Sequence, residues 1–187
     1  FQGANYMKVI RFSFAIINSL ILVIGLLTII EVSVANDAVH SCKNNKATTV
    51  ILIRHAERDN FFNITDKGRN RANALLDSVA DIGISAIYSP DLSRNLETAK
   101  PLATFLKIEI TLIPRIKKES VDEILTTILT PNKGKVVLLV GNGSGNLKLL
   151  HQRLGGQGDG PYQYGQLNIY CIHDDGSVSV TKSKFGI

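Results

Sequence analysis

Short runs of aliphatic and β-branched residues alternate with amphipathic segments along most of the chain, and this alternation constrains the fold more than any other feature. The apolar runs are typical of strands buried on both faces of a sheet, because they are uncharged and rich in Val and Ile. They predict strands at residues 48–53, 84–88, 108–113 and 136–140. The segments between and after them have helical spacing and predict helices over 66–83, 91–106, 121–129 and 146–154.

The chain ends in a different pattern. Residues 166–172 and 177–181 flank Asp174-Asp175-Gly176, which is typical of a β-hairpin. Strands that alternate with helices and then close in a hairpin predict an α/β fold. We expect three layers, α/β/α, around a mostly parallel central sheet that ends in an antiparallel hairpin. Asp91 is expected to cap the second helix, and Pro101 either to kink that helix or to open its second half.

The first 35 residues are expected to lie outside this domain. Residues 1–6 precede the first methionine and are interpreted as the remnant of a tag. Lys8 and Arg11 then precede an uncharged stretch at 12–30 and a Ser-Val-Ala tripeptide at 33–35. This pattern predicts either a cleaved signal peptide or an uncleaved membrane anchor.

Both alternatives predict the same location for the rest of the chain. The positive charges of residues 7–35 stay on the cytoplasmic side, so residues 36–187 are expected to be exported as a single domain, periplasmic or extracellular. Contact with a membrane is expected only through an uncleaved N-terminal segment. The net charge of +5 is modest, and no basic run is interleaved with aromatic residues, so a nucleic-acid partner is not expected.

The two cysteines, Cys42 and Cys171, allow two interpretations. In an oxidising compartment an even number of cysteines favours a disulfide. The alternative is a buried Cys171 and an unrelated thiol near the N-terminus. Neither the cysteines nor the histidines have the spacing of metal ligands, so no metal is expected.

Cationic side chains follow the predicted strands at the sheet edge where α/β proteins bind ligands. The first strand runs into Arg54-His55-Ala56-Glu57-Arg58, and the second leads to Arg94 on the first turn of its helix. Guanidinium groups match the geometry of a tetrahedral oxyanion, and a neutral imidazole held among them can attack phosphorus to form a phosphohistidine. The sequence therefore predicts a phosphate site with His55 at its centre.

The fourth strand ends in a glycine-rich loop at residues 141–145, Gly-Asn-Gly-Ser-Gly. Such a loop can bind an anion through its backbone N–H groups at the start of a helix. A dinucleotide site is the weaker interpretation of the same glycines. A dinucleotide-binding motif would follow the first strand, whereas these glycines follow the fourth. The third glycine here comes one residue too early for that motif, and the acidic residue expected about twenty residues later is missing.

Three segments carry a family resemblance: "TTVILIRHAER", "NITDKGRNRANAL" and "AIYSPDLSRNLETAKPLATFL". They resemble the histidine phosphatase (phosphoglycerate mutase-like) superfamily, and most closely its small exported bacterial members. The resemblance extends through "YQYGQLNIYCI" and the closing "KFG", so it covers nearly all of residues 48–186. It implies a phosphoglycerate mutase-like fold, a phosphohistidine intermediate and no cofactor. The substrate would be a small phosphorylated molecule, or the ligand inorganic phosphate.

The resemblance assigns roles to individual residues. His55 matches the nucleophile of the RHG-type motif, with Ala56 in place of the commoner glycine. Arg54 and Arg94 match the two phosphate-binding arginines. Arg58 stands where the acid-phosphatase branch has a further phosphate-binding arginine, which is a less direct match.

The acid that protonates the leaving group is less well defined. In the family it comes either from the segment after the third strand or from the residue after a second histidine. Gly143 occupies the position after the second histidine and cannot act as an acid, so the segment after the third strand remains. Glu119, Asp122 and Glu123 are the candidates there, and we favour Glu119.

The fourth strand departs from the family pattern, because Asn142 stands where the family has its second catalytic histidine. An amide can donate a hydrogen bond but brings no positive charge. The backbone N–H groups of residues 143–145 would offset part of the loss. Losing one charged donor typically slows turnover about 10²–10³-fold. The sequence thus predicts a slow phosphoric monoester hydrolase or, alternatively, a non-catalytic phospholigand-binding protein, with specificity in loops 59–64 and 155–163.

Overall fold

The computed structural model describes residues 34–44, 46–143 and 146–186. The strands are β1 Thr48–Arg54, β2 Ile84–Pro90, β3 Ile110–Ile113, β4 Val136–Gly141, β5 Gln166–Ile172 and β6 Val178–Lys184. The helices are α1 (residues 34–44), α2 Asp66–Val79, α3 Ser93–Leu106, α4 Val121–Leu129 and α5 Asn146–Arg153, with 3-10 turns at Ala80–Ile82 and Thr130–Asn132.

The six strands form one sheet in the order β3-β2-β4-β1-β5-β6. The first four strands in this order are mutually parallel, whereas β5 runs antiparallel to β1 and pairs with β6 as a hairpin. The predicted fold class is therefore confirmed. The register of β1 on β4 sets Arg54 beside Gly141, so the cationic motif and the glycine loop leave the sheet at the same edge.

Alternate residues of the central strands pack in two different hydrophobic cores, one on each face of the sheet. Ile51 and Ile53 of β1 pack with the apolar residues of α1, α2 and α3. Val50 and Leu52 face the opposite way and pack with those of α4 and α5. This division follows from the two-residue period of a strand, and it accounts for strands that are apolar on both faces. The result is the three-layer arrangement predicted from the sequence.

Helix α1 was not predicted. Ala35, Val39 and Cys42 recur at helical spacing and are buried against the sheet, a pattern present in the sequence beside the expected export signal. Cys42 forms a disulfide with Cys171 of β5, with their Cα atoms 5.4 Å apart. Of the two interpretations of the cysteines, the structure thus has the disulfide rather than two unrelated thiols.

Helix α3 differs from its prediction at its start. Asp91 does not cap it: the N-cap position is Leu92, and no side chain caps the first turn. The chain after β2 makes a tight turn instead, in which the Leu92 N–H donates to the Pro90 carbonyl, so Asp91 lies one residue too early. The helix then continues through Pro101 rather than restarting there.

The predicted export segment, residues 7–35, lies outside the described residues except for its last two, Val34 and Ala35. Among the helices that the structure describes, none has the length and hydropathy needed to cross a bilayer.

Candidate active site

His55 lies immediately after β1 and is 3% exposed. Its backbone N–H donates to the carbonyl of Gly141, which fixes the residue at the junction of β1 and β4. Its ring Nδ1 lies 2.7 Å from the Ala56 carbonyl oxygen. A carbonyl oxygen only accepts, so Nδ1 carries the proton and donates it. In the neutral ring Nε2 then has a free lone pair, which is the form a nucleophile requires.

The surroundings of His55 keep its ring neutral. Burial and, to a smaller extent, the charges of Arg54, Arg94 and Arg58 together lower the pKa of His55 from 6.5 to about 4, against the opposing effect of the Ala56 hydrogen bond. Each guanidinium repels a proton on the imidazole, and burial removes the water that would solvate the charged form. The imidazole is therefore uncharged at neutral pH.

Arg54, the last residue of β1, is held by the segment that precedes β5. Its Nη1 donates to the Tyr162 carbonyl at 2.8 Å, and its guanidinium lies 4.1 Å from the centre of the Tyr164 ring. Its Nε is buried with no acceptor among the described residues. A Cβ on Gly143 would come within 2.6 Å of the Arg54 guanidinium carbon. The glycine loop must therefore lack a side chain here so that Arg54 can pack against it.

Arg94 approaches from the first turn of α3. Its Nη2 donates to Oδ1 of Asn142 at 3.4 Å, and its Nε is buried without an acceptor among the described residues. Thr98, one turn later, accepts from the Ala56 N–H and donates to the Arg94 carbonyl, so α3 is tied to the loop that carries His55. Burial and then the charges of Arg58 and Arg115 lower the pKa of Arg94.

Arg58 is held by an aromatic ring rather than by a carboxylate. Its guanidinium carbon lies 4.5 Å from the centre of the Phe62 ring, and that of Arg94 lies 5.4 Å from the same ring. Phe62 has a φ of +71°, which side-chain-bearing residues rarely adopt. The Asp59 carboxylate accepts from the backbone N–H groups of Phe61 and Asn63 and so stabilises this turn.

The end of β4 presents Asn142 and Gly143 to this cluster. Asn142 is buried, and because its oxygen accepts from Arg94 its NH₂ group remains as a donor. Residues 144 and 145, whose N–H groups were also expected to bind an anion, lie outside the described residues. The structure thus brings the predicted Arg54, His55 and Arg58 together with Arg94 and Asn142.

Among the described residues, none of the three acid candidates forms an ion pair with Arg54, Arg58 or Arg94. Asp122 forms an ion pair with Arg153 of α5, with 3.2 Å between carboxylate and Nε. Glu119 and Glu123 are exposed, and neither carboxylate forms an ion pair within the described part of the chain. The assignment of the acid therefore remains a prediction.

The sequence assigned no role to Tyr162, Tyr164 or Phe62, which hold the arginines of the site. Tyr164 and Phe62 do so with their rings and Tyr162 with its backbone carbonyl. Two signals were available: Phe62 and Tyr162 lie in the two loops expected to carry specificity, and both tyrosines stand in the YQYGQLNIYCI segment of the resemblance. Among the described residues, no cluster of three or more His, Cys, Asp or Glu side chains is arranged to hold a metal.

Comparison with known proteins agrees with this geometry. Residues 50–124 match the family model of the histidine phosphatase superfamily (branch 1), a segment that includes His55 and Arg94. No curated protein sequence matches the chain significantly.

Solved structures share the fold at low sequence identity. The protein histidine phosphatase SixA complexed with tungstate has a TM-score of 0.61 and 11% identity, over 73% of this chain and 96% of its own. YhfR of Bacillus stearothermophilus has a TM-score of 0.60 and 21% identity, over 72% and 96%. A phosphoglycerate mutase from Plasmodium falciparum has a TM-score of 0.51 and 18% identity, over 71% and 87%. The fold is thus phosphoglycerate mutase-like, and residues 50–124 are similar to the histidine phosphatase superfamily.

Proposed function

We propose that the protein is a phosphomonoesterase that acts through a phosphohistidine on His55. The observation that carries the proposal is a neutral imidazole with its Nε2 lone pair free, enclosed by Arg54, Arg58 and Arg94. The two buried Nε–H groups of Arg54 and Arg94 are suitable donors for phosphoryl oxygens. The tungstate bound by SixA is a tetrahedral oxyanion of the same kind.

In the proposed reaction the Nε2 atom attacks phosphorus, the N–P bond forms, and the bond to the leaving oxygen breaks. The arginines stabilise the charge on the transferred group, on which phosphoryl transfer chiefly depends. A carboxylic acid, which we assign to Glu119, gives its proton to the leaving oxygen. Water then attacks phosphorus and passes a proton to the resulting carboxylate as the N–P bond breaks and phosphate leaves.

The test uses an activated aryl phosphate, whose leaving group needs little help from an acid. Wild type should release phosphate and carry an acid-labile phosphoryl group during turnover. His55→Ala should lose both, whereas His40→Ala, which changes an exposed histidine on α1, should lose neither. Equal phosphate release by wild type and His55→Ala would rule out the proposed nucleophile.

A second candidate function is a non-catalytic phospholigand-binding protein, and the neutral Asn142 favours it. Asn142→His should restore a charged donor and raise the rate about 10²–10³-fold if the missing charge limits turnover. Isothermal titration calorimetry with inorganic phosphate should show binding in either case. An Asn142→His protein that still binds phosphate but hydrolyses no better would show that the asparagine does not limit turnover.

We also propose that the protein belongs to the small exported members of the superfamily. The support is the charged and apolar pattern of residues 7–35 together with a disulfide between Cys42 and Cys171, since disulfides persist in oxidising compartments. Cell fractionation and the intact mass of the purified protein test this. A mature mass beginning at Asn36 supports cleavage, and an intact chain in the membrane fraction supports an anchor. A reduced protein in the cytosol would exclude export.

A further inference from the structure

The N-terminal segment enters the domain at the edge of the sheet that carries the phosphate site. Cys42, near the end of α1, is bonded to the residue of β5 that pairs with Thr49 at the start of β1. Val34, at the beginning of α1, lines a cavity together with Gln166 and Lys184, which pair with each other next to the end of β1. Helix α1 therefore runs antiparallel to β1, and its first residue lies at the edge where β1 ends and the site begins.

This entry point determines which edge of the domain an N-terminal anchor would hold against a membrane. The uncharged stretch ends at residue 30, so at most about 14 Å of extended chain separates it from Val34. Ala35 is 1% exposed and packs in the same core as Val39. Cleavage after Ala35 would remove this packing, which favours an uncleaved anchor. The edge that carries the phosphate site then faces the bilayer at close range.

Two exposed aromatic rings lie at the same edge, in the loop after β1. Phe61 is 84% exposed and Phe62 is 53% exposed. The Asp59 carboxylate accepts from the backbone N–H groups of Phe61 and Asn63, so the tip of this loop is held in a defined conformation. Phe62 already contacts two guanidinium groups of the site. Phe61 is thus the ring whose apolar surface a lipid interface would cover.

Exposed cationic side chains flank the phosphate site along this edge. Lys182 and Lys184 lie at the end of β6, and Arg115, Lys117 and Lys118 follow the end of β3. Strands β3 and β6 are the two outer strands of the sheet, whereas the site lies on β1 and β4 between them. None of the five side chains forms an ion pair within the described part of the chain. Such exposed charges are attracted to anionic lipid headgroups.

We infer that this edge of the sheet docks on an anionic membrane, with residues 7–35 as its anchor and Phe61 inserted at the interface, and that the substrates are phosphomonoesters carried by lipid headgroups. The inference rests on the phosphate site of the proposed function. The phosphoryl group moves to Nε2 of His55 and then to water, as proposed above. The lipid alcohol takes up the proton and stays in the bilayer, and inorganic phosphate leaves.

The docking can be tested without turnover, because the chain has no tryptophan. Phe61→Trp places one fluorophore at the loop of the full-length chain, reconstituted in vesicles of phosphatidylcholine and phosphatidylglycerol. Brominated phosphatidylcholine should quench its emission by about half, because the ring lies at the interface. Phe105→Trp is the matched control, since Phe105 is 60% exposed near the end of α3, at the opposite edge of the sheet, and should not be quenched. Equal quenching of the two variants, or none of Phe61→Trp, overturns the inference.

Hydrolysis tests the substrate class in the same vesicles, with phosphatidic acid added as the lipid phosphomonoester. Phe61→Ser should lower the rate on phosphatidic acid about tenfold and leave the rate on a soluble aryl phosphate within about twofold of wild type. Phe105→Ser should change neither rate. If wild type hydrolyses the aryl phosphate but not phosphatidic acid, or if Phe61→Ser lowers both rates equally, the inference fails and the proposed function stands. If neither compound is hydrolysed, the proposed function fails too.

Discussion

Two buried or half-buried arginines, Arg54 and Arg71, lie 17 residues apart in sequence, and they are held in opposite ways. Arg71 of α2 donates from Nε and Nη2 to the Glu57 carboxylate, at 2.8 and 2.7 Å, and from Nη1 to the Phe185 carbonyl. Arg54 has a carbonyl and an aromatic ring in place of a carboxylate. Both come from motifs that the family resemblance covers.

The kind of partner distinguishes a structural arginine, which is paired with a carboxylate, from an arginine that can bind a ligand. The Glu57 carboxylate neutralises Arg71 and ties the loop after β1 to α2. An aromatic ring attracts a guanidinium group through its quadrupole without cancelling the charge. Arg54 is thus fixed in place and still able to attract an anion. Glu57, the carboxylate within the motif at residues 54–58, thus belongs to the scaffold that holds the site.

The largest effect is expected from removing the charge of Arg54. Arg54→Gln should lower the rate with an aryl phosphate about 10²–10³-fold, or roughly 3–4 kcal/mol, because a charged donor to the transferring group is lost. The free energy of unfolding should change little, since no ion pair is broken. Steady-state kinetics and urea unfolding of one preparation measure both. An Arg54→Gln protein that unfolds at lower urea concentration but hydrolyses the aryl phosphate at the wild-type rate would show that Arg54, like Arg71, has a structural role.

Removing the charge of Glu57 is expected to lower stability and to leave phosphate binding nearly unchanged. Glu57→Gln leaves a 7%-exposed Arg71 without its carboxylate and should lower the free energy of unfolding by about 3 kcal/mol, with phosphate affinity nearly unchanged. Asp66→Asn is the matched control, because it removes the same charge from an exposed pair with Arg69 and should cost under about 1 kcal/mol. Urea unfolding compares the two variants. Equal losses would show that burial of the pair has no effect.

These arginines also show what a sequence can predict. Strands, helices and the position of Arg54, His55 and Arg94 at one sheet edge follow from local apolar periodicity and parallel pairing, so they were predictable. The partner of each arginine was not. Tyr164 meets Arg54 across more than a hundred residues, and Phe62 turns toward Arg94 through a left-handed backbone, so only tertiary packing brings them together.

A smaller effect is expected from pH through His55, whose pKa is lowered from 6.5 to about 4 in the folded protein. Above pH 6.5 the ring is neutral in both states. Between pH 6.5 and 4 the unfolded chain binds a proton that the folded protein does not, so stability falls as the pH falls. The loss at pH 5 should be about 2 kcal/mol. His55→Gln should lack it in urea unfolding at pH 7 and pH 5. Identical losses in both proteins would mean that His55 titrates normally.

The smallest effect is expected from the ring that holds Arg54. Tyr164→Leu removes the aromatic face and should weaken phosphate binding about fivefold, near 1 kcal/mol, because Arg54 is less well positioned. Tyr164→Phe keeps the ring, loses only a 3.3 Å contact of the hydroxyl with Arg54, and should stay within about twofold of wild type. Tyr162→Phe is the control, since Arg54 binds the backbone carbonyl of Tyr162 and the Tyr162 hydroxyl has no partner among the described residues. If Tyr164→Phe weakens phosphate binding as much as Tyr164→Leu, the hydroxyl rather than the ring holds Arg54, and the distinction drawn between aromatic and carboxylate partners fails at this position.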